Sequence, residues 1–243
     1  MEILKGIPEE SVDLIFADPP YNLSNDGITC KGGRMVSVNK GDWDKSKGIV
    51  EDYAFHLEWI EACKGVMKPN ATIWISGTYH SIYACGHALQ KLSYHILNDI
   101  CWLKPNASPN LSCRFFTASH ETLLWAKKDK SAKHIFNYED MKNGNYPNDS
   151  LKVSNKQMRS VWSIPATPKS QKSFGAHPTQ KPIKLLDRVV LSSSNPGDTI
   201  LDPFMGSGTT GVVAINHGRS FIGIEANKEY CNISRNRIEA EIK

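Results

Sequence analysis

Residues 199–210 read TILDPFMGSGTT. The apolar residues at 199–201 predict a short strand, and residues 209–217 predict a helix after the turn. Glycines at 206 and 208 let the backbone approach a ligand closely, and the helix presents unpaired amides at its N-terminus. A strand, glycine turn and helix in this order are typical of a cradle for a nucleotide-like cofactor, although a glycine-rich turn alone also occurs in ordinary loops.

The acidic residue Glu225, together with Asp202 in the turn, limits which cofactor the turn can bind. The strand predicted at 220–224 ends at Glu225, 17 residues after Gly208. This is near the spacing at which a carboxylate meets ribose hydroxyls in dinucleotide folds. The turn lacks the third glycine of NAD-binding proteins, and Asp202 suits a positively charged amino acid moiety better than a pyrophosphate. S-adenosylmethionine, which carries ribose, an ammonium and a carboxylate, matches these features.

A different motif follows the apolar run Val12–Ala17, which predicts a buried parallel strand. The run ends in Asp18-Pro19-Pro20-Tyr21. Asp18 and the carbonyl of Pro19 can accept the two hydrogens of an exocyclic amine, and Tyr21 can stack on the extruded base that carries it. A carboxylate that only caps the next turn is the structural alternative for Asp18. The order of methyl transfer and proton loss stays open.

The remaining pattern predicts an α/β fold. Strands predicted at 71–76, 96–103, 121–126 and 161–165 alternate with helices predicted at 49–67, 81–92, 183–191 and 228–242. Pro182 suits the first position of the third helix because its φ is already helical. Such alternation predicts a doubly wound, mostly parallel sheet with loops gathered at the carboxyl ends of its strands.

Composition places the chain among ordinary globular proteins. Hydrophobic residues make up 40% and charged residues 22% of the 243 residues, and no apolar stretch approaches the roughly 20 residues that cross a bilayer. The N-terminus lacks the features of a secretory signal, so we expect a cytoplasmic protein. The six cysteines include no Cys-x-x-Cys pair, which disfavours a zinc site.

The net charge of +4 is unevenly distributed. Between Lys127 and Lys184 there are twelve Lys and Arg residues against four Asp and Glu residues. Residues 127–176 are therefore predicted to form a basic insert within a single domain, either as a solvated surface or as a track for a polyanion.

Just after this insert stands His177-Pro178-Thr179-Gln180-Lys181-Pro182. Read structurally, it is a turn and a capped helix, with Thr179 as the capping residue. Its position before the cofactor half also allows Thr179 and Gln180 to contact the cofactor's carboxylate.

With these motifs in this order, the chain resembles the β-group amino-methyltransferases that modify DNA. The resemblance covers nearly the whole chain and implies a Rossmann-like, circularly permuted, S-adenosylmethionine-dependent fold that methylates adenine N6. Within that group the chain is most similar to the second, single-strand-active methyltransferases of DpnII-type restriction-modification systems, notably at residues 40–45 and 109–114. That similarity implies the site GATC. It also implies single- or double-stranded DNA as partner and allows a homodimer.

One departure concerns the N-terminus. Members of the group usually begin with an additional strand, whereas this chain starts at what resembles the following helix, residues 1–8. We therefore expect part of the adenine pocket of the cofactor to be missing. Methylation of cytosine N4 or of an RNA base, and a catalytically impaired module that binds single-stranded DNA, remain as alternatives.

The candidate site residues fall into three groups. The catalytic group is Asp18, Pro19, Pro20 and Tyr21. The cofactor group is Asp202, Phe204, Gly206, Ser207, Gly208, Thr209, Glu225, His177, Thr179, Gln180 and Lys181. The DNA-contact group is Arg34, Lys40, Arg114, Lys152, Lys156 and Arg159. No metal site is predicted.

Overall fold

The computed structural model describes residues 2–24, 28–31, 34–37, 44–149, 153, 155–175 and 177–242. The helices are α1 (Glu2–Lys5), α2 (Ile49–Val66), α3 (Ile82–Lys91), α4 (Tyr138–Asn143), α5 (Ile183–Ser193), α6 (Thr209–Asn216) and α7 (Lys228–Glu239). The strands are β1 (Val12–Ala17), β2 (Ile28–Lys31), β3 (Arg34–Ser37), β4 (Met67–Gly77), β5 (His95–Leu103), β6 (His120–Lys127), β7 (Val161–Ser163), β8 (Thr199–Asp202) and β9 (Ser220–Gly223).

Seven strands form one sheet in the order β7-β5-β6-β4-β1-β8-β9. The central strand β1 pairs in parallel with β4 and β8, and β9 continues the parallel arrangement. β6 runs antiparallel to both of its neighbours. The carboxyl ends of β1, β4, β5, β8 and β9 therefore lie at one edge of the sheet, and β6 begins at that same edge.

Helices cover both faces because side chains of the central strands alternate between two apolar clusters. Ile15 and Ile73 pack with α2 and α3 on one face, while Leu14 and Trp74 pack with α5 and α6 on the other. Each fully buried aliphatic or aromatic side chain contributes about 1.5–3 kcal/mol to folding. The prediction of a doubly wound, mostly parallel α/β sheet is confirmed.

The boundaries of the long elements agree with the sequence prediction to within a few residues, and those of β1 agree fully. Three short elements were missed: the β2–β3 hairpin and, inside the basic insert, helix α4 and the 3₁₀ helix Lys169–Lys172. Pro182 is the N-cap of α5, with φ −71° and ψ 141°, and not its first helical residue.

The basic insert is tied to the rest of the protein through α5. Asp149 forms a buried ion pair with Arg188 at 2.6 Å. The side chain of Asn137 donates to the carbonyls of Leu191 and Ser194. These contacts hold the start and the middle of the basic insert against α5.

The opposite margin of the sheet is formed by β9. Within the described residues no strand pairs with its outer side. Its burial is only partial, in contrast to the fully buried β1. No helix in the described part of the chain is long and apolar enough to cross a membrane.

Candidate active site

One cavity joins the two principal motifs. It has a volume of about 780 Å³, within the range of ordinary ligand pockets, and is lined by residues 18–23 after β1 and by residues 202–207 after β8. The two motifs meet because β1 and β8 are parallel neighbours, with Leu14 opposite Ile200 and Ile15 opposite Leu201. Parallel neighbours place their carboxyl ends, and the loops that follow, side by side.

The carboxylate of Asp18 has a partner on each oxygen. Its Oδ1 accepts a hydrogen bond from the Tyr21 hydroxyl at 2.6 Å, and its Oδ2 accepts one from Lys181 Nζ at 2.6 Å. Burial raises the pKa of Asp18, and the nearby charge of Glu121 adds to this, whereas Lys181 opposes it. The group is thus a buried acceptor whose charge depends on one lysine.

Tyr21 is held in place through both its backbone amide and its side-chain hydroxyl. Its backbone amide donates to Asp44 Oδ1 at 2.9 Å, as does the amide of Asn22, so Asp44 ties down the loop after β1. Its hydroxyl also lies 2.8 Å from Ser76 Oγ and 3.1 Å from Glu121 Oε2. The side chain is only 6% exposed, and what remains faces the cavity. Stacking of this ring on a base stays a prediction.

Two charged residues that the sequence analysis did not single out complete this cluster. Glu121, at the start of β6, accepts a hydrogen bond from Lys104 at 2.9 Å and lies 3.7 Å from Lys181 Nζ. Burial alone would raise the pKa of Glu121, but Lys181 and Lys104 outweigh it and the pKa is lowered. Burial would likewise lower the pKa of Lys181, but Asp18 and Glu121 raise it. Two carboxylates therefore face two ammonium groups.

Lys181 was predicted to contact the cofactor, but its ammonium lies with the catalytic group. It sits 5.0 Å from the centroid of the Tyr21 ring as well as against Asp18. Its backbone carbonyl accepts a hydrogen bond from Thr209 Oγ1 at 3.1 Å. The residue thereby connects the segment before α5 to both the Asp18 loop and the start of α6.

The glycine turn is shaped by close packing. Gly206 has φ +51° and Gly208 has φ +75°, a left-handed region that favours glycine. A Cβ on Gly206 would lie 3.2 Å from the ring of His177, and one on Gly208 would lie 2.6 Å from Ser234 Cβ. Gly206, Ser207 and Thr209 line the cavity, whereas Gly208 does not and instead caps α6.

Two carboxylates stand on the cofactor side of the cavity. Asp202 accepts hydrogen bonds from the Phe204 amide and the Thr210 hydroxyl, and burial raises its pKa to about 7. Glu225 accepts from the amides of Gly206 and Asn227 at 3.0 and 2.7 Å. Acidic groups in these positions favour a ligand that brings a positive charge and hydroxyl donors.

The segment before α5 forms a further wall of the cavity. The ring of His177 packs edge-to-face on Tyr230, with 4.3 Å between centroids, and its Nδ1 lies 3.3 Å from the amide of Thr179. Gln180 donates to the Gln171 carbonyl, while its Oε1 is buried and has no hydrogen-bond partner among the described residues. A buried acceptor without a donor calls for a partner, and Gln180 lines the cavity, where a polar ligand can supply one.

The predicted DNA-contact residues are only partly described. Arg114, Lys156 and Arg159 are exposed and do not line the cavity. Arg34 begins β3. Lys40 and Lys152 lie outside the described residues.

Comparison with known proteins gives consistent results. A family model described as DNA methylase matches residues 12–236. The type II methyltransferase M2.DpnII of Streptococcus pneumoniae is 54% identical over 241 residues, which are 99% of this chain and 87% of that protein. M2.MboI of Moraxella bovis is 46% identical over 237 residues, covering 98% and 84% respectively.

Solved structures show the same fold. The M1.HpyAVI–SAM complex superposes with a TM-score of 0.68 at 28% identity, covering 98% of this chain and 94% of that one. The cytosine-N4-specific PvuII DNA methyltransferase superposes with a TM-score of 0.71 at 19% identity, covering 97% and 82%. At that identity the second likeness concerns the fold alone.

Proposed function

This chain belongs to the DNA methylase family, and from that premise we propose that it methylates N6 of adenine within a specific DNA site. The single observation that carries the proposal is the shared cavity, in which the acceptor pair of Asp18 and Pro19 faces the glycine turn at Gly206. An amine and a methyl donor held in one cavity can react without a further encounter, and this removes much of the entropic barrier.

S-adenosylmethionine is the cofactor, and the residues of the cavity fit it. The buried Asp202 has a raised pKa and gains from a cationic ligand. Gln180 was expected to contact the carboxylate of the cofactor, but its amide nitrogen already donates to Gln171 and its Oε1, an acceptor, has no partner in the described part of the chain. We therefore assign Gln180 Oε1 to the ammonium instead, and Glu225 has lone pairs left for ribose hydroxyls. When bound, the cofactor supplies an electrophilic methyl group on its sulfonium.

The Asp18 loop acts on the target amine. The lone pair of an exocyclic amine is delocalised into its ring, so the nitrogen is a poor nucleophile. Asp18 and the carbonyl of Pro19 each accept one amino hydrogen, which draws the nitrogen toward tetrahedral geometry and frees its lone pair. Tyr21 stacks on the base, and such stacking contributes about 1–3 kcal/mol against the cost of extruding it.

Adenine, the site GATC and a preference for single strands are the finer parts of the proposal. An Asp and not a Ser at position 18 favours adenine over cytosine by family resemblance, and the resemblance to the second methyltransferases of DpnII-type systems favours GATC. A base in single-stranded DNA costs less to extrude. We assign sequence and phosphate contacts to the basic insert 127–176 and to Arg34, Lys40, Arg114, Lys152, Lys156 and Arg159.

The test is transfer of a labelled methyl group to matched oligonucleotides. Single- and double-stranded DNA with GATC is compared with the same DNA in which guanine replaces the adenine, and the product nucleosides are separated. We expect N6-methyladenine, formed faster on single strands. Methylcytosine or labelled RNA would replace this proposal with one of its alternatives. DNA binding without binding of S-adenosylmethionine at millimolar concentration would indicate a binding module.

A further inference from the structure

The acceptor that the reaction needs already receives one hydrogen bond on each of its oxygens. Asp18 Oδ1 receives the Tyr21 hydroxyl and Oδ2 receives Lys181 Nζ, both at 2.6 Å. Each oxygen keeps a second lone pair, but the positive charge of Lys181 Nζ at 2.6 Å repels the partly positive amino hydrogens of adenine and weakens Asp18 as their acceptor. The Lys181 contact joins opposite charges, so it weakens this acceptor more than the neutral Tyr21 hydroxyl does.

Glu121 is placed to take over that donor. Its Oε1 is anchored by Lys104 at 2.9 Å, and its Oε2 faces the catalytic cluster, 3.1 Å from the Tyr21 hydroxyl. Oε2 lies 3.7 Å from Lys181 Nζ, within ion-pair range but beyond hydrogen-bond length. The side chain of Glu121 is 12% exposed and that of Lys181 is 7% exposed, so water cannot readily replace a lost partner.

The carboxylate of Glu121 lowers the electrostatic cost of moving Lys181 away from Asp18. Separating a buried ammonium from its only carboxylate leaves an uncompensated charge, which is strongly unfavourable. With Glu121 beside it, Lys181 keeps a carboxylate partner throughout the movement. The charges of Asp18, Glu121, Lys181 and Lys104 still sum to zero.

Building on the proposed adenine methylation, we propose that Glu121 is a positioning residue that draws Lys181 away from Asp18 when the target amine enters. The freed Oδ2 of Asp18 then accepts the amino hydrogen. Glu121 touches neither the base nor the cofactor in this scheme and acts only through Lys181. A purely structural role, in which Glu121 merely holds Tyr21 and Lys104 in place, is the competing explanation.

The first experiment uses Glu121→Gln, which keeps the shape and a hydrogen-bonding group but removes the charge. We expect kcat to fall by about tenfold or more, the usual effect of losing one charge-assisted interaction, with unchanged affinity for S-adenosylmethionine. Because Glu121 raises the pKa of Asp18, the acid limb of the kcat–pH profile is expected to move to lower pH. A wild-type kcat in this variant overturns the proposal.

The double variant Glu121→Gln/Lys181→Met separates exchange from structural support. The comparison is made at a pH above the acid limb of both variants, so that Asp18 is ionised without Lys181. If Glu121 serves to draw away a competing cation, deleting that cation restores part of the lost rate there, so the double variant is faster than Glu121→Gln. If Glu121 only supports the structure, the double variant is as slow or slower, and the proposal is overturned. If Glu121→Gln does not fold, Glu121→Asp, which withdraws the carboxylate by one methylene, is expected to lose kcat in the same way, and a wild-type kcat there is contradictory.

An equilibrium measurement needs no turnover. The wild type is expected to bind a single strand containing adenine more tightly than one in which purine, lacking the amino group, replaces it. Glu121→Gln is expected to lose this preference, and retention of it would contradict the exchange.

The matched control for the kcat measurements is Asp13→Asn. Asp13, at the start of β1 on the opposite edge of the sheet, is a buried carboxylate that pairs with a lysine. Its replacement should leave kcat unchanged. If the wild-type protein methylates no adenine, the proposed function is refuted. This result is obtained before any variant is compared, so it is distinct from a failure of the exchange.

Discussion

Lys181 Nζ lies 2.6 Å from Asp18 Oδ2, although the two residues are 163 positions apart in the chain. The contact joins the segment that precedes α5 to the loop that follows β1. It explains why both motifs belong to one site: the loop after β1 supplies the acceptor, and the segment before α5 supplies a cation that opposes the effect of burial on the pKa of that acceptor.

The first prediction concerns this acceptor. Asp18→Ala is expected to lower kcat by about a hundredfold or more, because the variant has no side-chain acceptor for the amino hydrogen. Affinity for S-adenosylmethionine should remain near that of the wild type, since Asp202, Glu225 and Gln180 are untouched. Single-turnover methyl transfer and calorimetric binding measure the two quantities. Asp18→Asn, which keeps an acceptor oxygen and leaves Lys181 a polar neighbour, controls for loss of folding. Normal turnover in Asp18→Ala contradicts the assignment.

The meeting of the two motifs could be predicted from the sequence. Val12–Ala17 and the run at 199–201 are short apolar strands that end in acidic residues, and parallel strands bring such ends together. The extent of β1 was predicted correctly because a continuous apolar run stops at two prolines, which cannot continue the ladder.

Other parts of the site could not be predicted in this way. Glu121 and Lys104 reach the cluster because β6 runs antiparallel between β4 and β5, and an apolar run such as residues 122–126 carries no sign of its direction. Asp44 lies in a segment without periodicity, so its bond to the Tyr21 amide had no pattern to reveal it. Helix α4 is six residues long, too short for a helical repeat to stand out.

The second prediction follows from the pKa of Asp202, which burial raises from 3.8 to about 7. A cationic ligand prefers the ionised carboxylate, so affinity for S-adenosylmethionine should rise by about tenfold between pH 6 and pH 8. Calorimetric titration across this range measures the effect, and Asp202→Asn should make the affinity lower and independent of pH. A flat profile in the wild type would contradict the role of this carboxylate.

The same group predicts how stability depends on pH without ligand. In the folded protein Asp202 holds its proton to a higher pH than in the unfolded chain, so the folded state binds more protons between these values. The contribution of Asp202 to the free energy of unfolding is therefore full below about pH 4 and is lost as the pH rises through about 7. Denaturant unfolding of wild type and Asp202→Asn at several pH values isolates this contribution, because Asn does not titrate. Relative to the variant, the wild type is expected to lose stability as the pH rises from about 4 to about 7.

A third prediction concerns the glycine turn. Gly208→Ala places a Cβ 2.6 Å from Ser234 Cβ at φ +75°, and we expect it to lower the free energy of unfolding by about 2–4 kcal/mol from strain and overpacking together. Gly197→Ala is the matched control, because its φ is +88° but nothing lies within 4 Å of the added Cβ. It should cost about 1 kcal/mol from backbone strain alone. Equal losses in the two variants would show that packing against α7 is unimportant.

The last prediction concerns DNA contact at the loop between β5 and β6. Arg114 is followed by Phe115 and Phe116, which are 70% and 99% exposed. The arginine suits phosphate contact, and the exposed rings suit base stacking. The loop starts at Lys104, whose partner Glu121 belongs to the catalytic cluster, so the base of the loop is attached to that cluster. Arg114→Gln should weaken binding of single-stranded DNA and reduce the slope of log affinity against log salt by about 0.7, the value for one phosphate. Phe116→Ala should weaken binding with the slope unchanged.

The control is Lys91→Gln. Lys91 is an exposed lysine at the end of α3, near the opposite edge of the sheet, so its replacement should change neither the affinity nor the slope. If Arg114→Gln binds with wild-type affinity and slope, this loop does not contact the DNA backbone through that residue.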